Sequence, residues 1–133
     1  NIETENVEIS NNANEVDKVE MLKQNGIDVD HGLELLGDME MYEETLKIFM
    51  EGLSEKFTNI GKYKENSDMP NYAVEVHSLK SDSKYLGFTK LAELAYNHEM
   101  KSKENDIDYV NANYNELLTE TKRIFDIAKK YFN

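Results

Sequence analysis

The chain contains no cysteine. Disulfides and thiolate chemistry are therefore excluded, and a reducing cytoplasm is the simple expectation for its location. Proline is almost as scarce, with Pro70 the only one in 133 residues, while Glu, Lys and Leu are abundant, a balance that favours helix over sheet. The six glycines, at 26, 32, 37, 52, 61 and 87, are too scattered to form a phosphate-cradling loop, so an ATP site is not indicated. No stretch approaches the roughly 18 apolar residues of a membrane-spanning helix, and no signal-peptide pattern opens the chain. A soluble domain without direct membrane contact is expected, and a start at Asn1 fits a piece of a longer, even membrane-anchored, protein. Basic residues are outnumbered, with 15 Lys and Arg against 27 Asp and Glu and a formal net charge of -12, and nucleic acid is disfavoured as a partner. Histidines number only three. The residues three positions before them are Asp28, Val74 and Ala95, which excludes the paired Glu-x-x-His pattern of dinuclear metal bundles. An HExxH zinc motif is also missing, so no metal and no cofactor are expected.

What the chain does have is helical periodicity. Residues 1–14, rich in Asn and acids and without an apolar stripe, read as a disordered linker, and residues 15–133 as one domain. Val16, Val19 and Leu22 predict a short amphipathic helix ending before Asn25-Gly26. A second short helix follows, with Asp30 as its expected N-cap and Leu33, Leu35 and Leu36 as its apolar residues. Gly37-Asp38 then opens a long helix with Tyr42, Leu46, Phe49, Leu53, Phe57 and Ile60 in one stripe. Pro70 suits the first turn of the next, whose inner face is Ala73, Val76, Leu79, Ser83 and Leu86 and whose end is Gly87. Leu91, Leu94 and Ala95 carry a third long helix to about Glu104. Asp106 caps a fourth, with Ile107, Val110, Tyr114, Leu117, Thr121, Ile124, Ala128 and Tyr131 along one side. The Met, Tyr and Phe residues are helix-spaced and expected in the core. Four long amphipathic helices with short connections predict an all-α, antiparallel up-down four-helix bundle, with one or two short N-terminal helices covering an end or groove.

The chemically informative segment is residues 77–87, HSLKSDSKYLG. At about 100° per residue, Val76, Leu79 and Ser83 point inward and His77 lies on the outer flank. Lys80 and Ser81 sit one turn on beside it, Lys84 two turns on, and Asp82 lies well away. A histidine displayed to solvent among cations and small side chains suits phosphorylation at nitrogen. Nearby lysines favour the neutral, nucleophilic imidazole and would neutralise the oxygens of the product. His98 falls on the apolar side of its helix and reads as a hydrogen-bonded core residue. His31, beside Asp30, reads as local capping or surface.

This segment resembles the motif of the histidine-containing phosphotransfer (HPt) domain family, in which the reactive His is followed by Leu, Lys, Gly, a small residue, an aliphatic and Gly. His77, Leu79, Lys80, Ser83, Leu86 and Gly87 match, and Ser81 stands where the family usually has glycine. Upstream, DHGLELLGDMEMYEETLKIFMEGL, and downstream, FTKLAELAYNHEM, are also similar to the family, so the resemblance covers the chain beyond its N-terminal linker.

The resemblance implies a covalent phosphoryl carrier, not an enzyme, with no ATP site of its own. His77 would accept a phosphoryl group from the aspartyl phosphate of a response-regulator receiver domain and pass it to another receiver. Lys80 would screen the phosphate, Lys84 more weakly, and the Ser81 hydroxyl can hydrogen-bond a phosphoryl oxygen while leaving access open. Mg²⁺ is expected on the partner receiver, and Val74 and Phe88 are expected in the docking patch, with help from the short N-terminal helix. Glu99, 22 residues after His77, is a candidate for a supporting polar position. The parent implied is a hybrid sensor histidine kinase with this chain as its C-terminal module, and the module itself a monomer. Two alternatives stand beside this reading. One is a helical module that binds receivers or kinases without being phosphorylated. The other is the phosphoacceptor region of a histidine kinase, disfavoured because Ser78, not an acid, follows His77.

Overall fold

The computed structural model describes residues 15–133, and the expected linker at 1–14 lies outside them. Every regular element among the described residues is helical. Two short helices, α1 (15–24) and α2 (Val29–Leu36), precede four long ones, α3 (Met39–Glu65), α4 (Met69–Leu86), α5 (Thr89–Lys103) and α6 (Ile107–Phe132). The chain is all-α, as expected, with the long helices packed in sequence and α6 returning to α3.

Helix starts are set by aspartates. Asp28, Asp38, Asp68 and Asp106 each accept the backbone N–H three residues on, at 3.1, 2.8, 3.3 and 3.0 Å, satisfying a donor the first turn leaves free. The cap of α2 is therefore Asp28 and not Asp30, because the helix begins one residue before Asp30. Among α2–α6, α5 alone lacks a side-chain cap: its N-cap residue is Phe88. That ring is only 2% exposed and packs 5.5 Å from Phe49. Phe88 consequently belongs to the core and not to an outer patch, since the tight turn at Gly87 redirects the chain inward.

The predicted stripes of α3, α4 and α6 are buried, apart from the half-buried Phe57, Ile107 and Tyr114. Exceptions cluster at helix flanks. Val16, Leu35, Met41, Tyr85, Tyr96, Met100 and Phe132 are exposed, so helical spacing alone overestimated the core. α1 docks through buried Leu22 and through Arg123 of α6, which donates to the Asn25 carbonyl at 2.9 Å.

Gly87 is the crossing point of the N-terminal half of the fold. It ends α4 with φ +79°, a left-handed conformation that favours glycine. Its carbonyl accepts the Asp28 N–H at 2.8 Å, and a Cβ placed on it would lie 2.1 Å from the Asp28 oxygen. One residue earlier, the Leu86 carbonyl accepts the buried Tyr42 hydroxyl at 2.6 Å. The end of α4 is thus tied both to α3 and to the link before α2. Gly87→Ala should cost roughly 3 kcal/mol or more through strain and backbone collision. Gly52→Ala, in an exposed turn of α3 where a Cβ meets nothing within 4 Å, should gain about 0.5–1 kcal/mol. Urea unfolding of both variants checks the pair; equal effects would contradict the crossing-point account.

Candidate functional site

The surface of interest runs along the seam between α4 and α5, the most extensive helix pair of the bundle. Val76 and Leu79 are fully buried on α4, and this orients the helix so that His77 turns outward with 56% of its side chain exposed. On α5 the opposite happens. Glu99 points into the seam and its carboxylate is only 3% exposed.

Three nitrogens meet this carboxylate. His77 Nδ1 lies 2.7 Å from Oε2, Lys80 Nζ 2.8 Å from Oε1, and Lys103 Nζ 2.8 Å from Oε2. Lys80 also lies over the Tyr96 ring, 5.5 Å from its centroid. Burial alone would raise the Glu99 pKa, but the hydrogen bonds from Lys103, Lys80 and His77 outweigh it and pull the value down from 4.5 to about 2. The carboxylate is therefore ionised at neutral pH and can only accept. His77 Nδ1 must carry the hydrogen, and in the neutral ring Nε2 holds the lone pair. Nε2 has no hydrogen-bond partner among the described residues.

Placement of Glu99 depends on its neighbour. His98 is buried, with the Tyr72 hydroxyl of α4 2.8 Å from its Nδ1 and the Asn113 carbonyl of α6 3.1 Å from its Nε2. Burial lowers its pKa, against the opposing pull of the Asn113 carbonyl and Glu116. As a neutral ring it accepts from Tyr72 and donates to Asn113, and so it pins α5 between α4 and α6. This is the satisfied core histidine that its position on the apolar side predicts.

The sequence-derived candidates are only partly brought together. Lys80 reaches the site, but its ammonium rests on Glu99 where proximity to the imidazole was expected. Ser81 is half-buried one turn beyond His77. Lys84 is exposed and lines a neighbouring groove with Lys80, Ser83, Tyr96 and His31, without an ion pair among the described residues. Asp82 lies on the other flank, in the cleft between α3 and α4 with Lys56 and Glu75. His31 is exposed, with its backbone N–H taken by the Asp28 cap. Val74 is 65% exposed and, with Met69, Pro70, Ala73 and Lys103, lines an open groove that contains His77. Lys103 was missed, and its signal was available: four residues beyond Glu99, it is the natural helical partner of that acid. The described residues hold no group of three or more His, Cys, Asp or Glu able to bind a metal ion.

A folded-state pKa below the ordinary carboxylate value means that Glu99 contributes stability above about pH 4.5, and that this is lost as the pH falls toward 2. Between pH 6 and pH 2, wild type should lose roughly 2–3 kcal/mol more than Glu99→Gln, whose amide does not titrate. Urea unfolding at several pH values reads this difference, and parallel pH profiles would show that the carboxylate is not held as described.

The family model described as Hpt domain matches residues 40–125. The match runs from the first turn of α3 into α6 and takes in His77, Lys80 and Glu99, leaving α1 and α2 outside it. No curated protein and no solved structure matches the chain significantly. With more than half of its length under one family model and a helical bundle carrying an outward-facing histidine, the chain belongs to the Hpt domain family.

Proposed function

We propose that this domain is a phosphorelay intermediate in which Nε2 of His77 accepts a phosphoryl group from the aspartyl phosphate of a receiver domain and hands it to another receiver. The observation that supports this most is the pairing of an exposed imidazole with a buried, ionised carboxylate on Nδ1, which leaves a lone pair on the outward nitrogen. In the transfer, the Nε2 lone pair attacks phosphorus and an N–P bond forms. The P–O bond to the receiver's aspartate breaks, and its electron pair leaves with the carboxylate. The reverse sequence loads the next receiver.

Lys80 and Lys103 stand close enough to Glu99 to offset its charge, so the incoming phosphoryl group meets a balanced site and not a bare anion. Lys84, exposed on the same helix, adds positive charge to the approach. Val74, exposed in the groove that contains His77, supplies apolar surface for docking, and the exposed Tyr96 ring adds to it beside Lys80. The module works as a carrier. Catalytic Mg²⁺ belongs to the receiver, and no ATP site is called for. No helix among the described residues is long and apolar enough to cross a membrane. A cytoplasmic position, with the chain acting alone or as the C-terminal module of a hybrid sensor kinase, suits this role.

Incubation with a phosphorylated receiver and Mg²⁺, followed by intact mass, tests the reading. Wild type should gain one phosphoryl group, and His77→Gln none. Lys80→Ala should slow loading about tenfold, the scale of one charge-assisted hydrogen bond. Ser81→Phe should block loading by covering the ring, while Ser81→Gly should not. Absence of label across a panel of receivers would leave only a binding module, and label on His77→Gln would place the acceptor elsewhere.

A further inference from the structure

A histidine phosphorylated on Nε2 has a second protonation question that the unphosphorylated ring does not share. Once Nε2 is bonded to phosphorus, Nδ1 either keeps its hydrogen, leaving the ring a phosphoimidazolium, or loses it and presents a lone pair. The first form has a neutral imidazole as its leaving group and transfers phosphate readily. The second must expel an imidazole anion and is slow both to transfer and to hydrolyse.

The groups around His77 bear on that choice. From α5, the Glu99 carboxylate sits 2.7 Å from Nδ1 and Lys103 lies on the same oxygen. From α4, Lys80 holds the other oxygen and Lys84 is exposed two turns along. Lys56 of α3 is turned to the other flank of α4, where it donates to Ser78 and faces Glu75. His31 of α2 lies in the adjoining groove. The carboxylate is thus the only acid in contact with the ring among the described residues. A lone pair on Nδ1 would face an ionised oxygen at hydrogen-bond distance, which is repulsive, whereas an N–H there is charge-assisted.

We infer that Glu99 holds the proton on Nδ1 of phosphorylated His77, keeping the phosphoryl group ready for transfer at the expense of its lifetime, and that Lys103 moderates this by sharing the same oxygen. Glu99 is a positioning residue here, and the inference rests on His77 being the acceptor. The proton balance is simple. Nε2 attacks with its lone pair, the hydrogen stays on Nδ1, donated to Glu99, throughout, and return of the electron pair to Nε2 on transfer restores the starting tautomer. No proton enters or leaves in a full cycle.

The whole chain, charged with potassium phosphoramidate as a receiver-independent donor, provides the test. Loss of the phosphoryl group is followed by intact mass from pH 5.5 to 9. At pH 8.5 the phosphorylated Glu99→Gln variant should survive about tenfold longer than wild type, with the two converging at the acid end, where solvent supplies the Nδ1 proton without help from a carboxylate. Lys103→Gln should move the profile the other way and shorten the lifetime at alkaline pH. In ¹⁵N-histidine-labelled wild type, Nδ1 of the phosphorylated ring should still be protonated at pH 8. Superimposable profiles, a constant offset at every pH, or an unprotonated wild-type Nδ1 at pH 8 would each overturn the inference. Should Glu99→Gln fail to fold or load, the wild-type spectrum and Lys103→Gln decide alone. Failure of His77 to take phosphate from either phosphoramidate or receivers would instead remove the underlying function.

Discussion

A carboxylate removed from water between two helices must find enough positive charge to remain there, because the cost of burying it unpaired runs to several kcal/mol. Glu99 meets that requirement with three nitrogens contributed by both helices of the seam: His77 and Lys80 from α4, and Lys103 from α5. The same contacts that make Glu99 tolerable also decide what the site can do. They tie the ring of His77 by one nitrogen and leave the other facing out. The two lysines, committed to the acid, are held within the site and not swept into solvent. The packing of the seam and the reactivity proposed for His77 thus depend on one buried charge.

That charge is held in register by uncharged packing. Val76 and Leu79 lock the rotation of α4, and His98 fixes α5 through Tyr72 on one side and Asn113 on the other. At the far end of α4, Gly87 allows the Asp28 backbone to pass in contact, so the link between α1 and α2 closes over the turn that begins α5. A 2.7 Å contact between helices is maintained only if neither can slide, and these three anchors act at different points along the seam.

Much of this was legible in the sequence. Stripes at spacings of three and four located all four long helices, and Asp38, Pro70, Gly87 and Asp106 marked boundaries that the structure shares. The angular spacing along α4 placed His77 on an outer flank, where it is. What periodicity does not supply is contact between helices. It left Glu99 as a minor candidate and passed over Lys103, because their meaning arises only when α5 is laid beside α4. It does not show that the chain turns inward at Gly87, and so Phe88, expected in the docking patch, is instead buried. It also set Asp30 as a cap when Asp28 was available two residues earlier, an error of boundary and not of element.

The claim on which the rest turns is that Glu99 fixes the His77 tautomer and so makes Nε2 the reacting atom. Nitrogen-15 chemical shifts of His77, before and after phosphorylation, test it most directly. The account predicts a hydrogen on Nδ1 and a bare Nε2 before loading, with phosphorus bonded to Nε2 afterwards. A hydrogen on Nε2 in the resting ring, or a phosphoryl group on Nδ1, would contradict it.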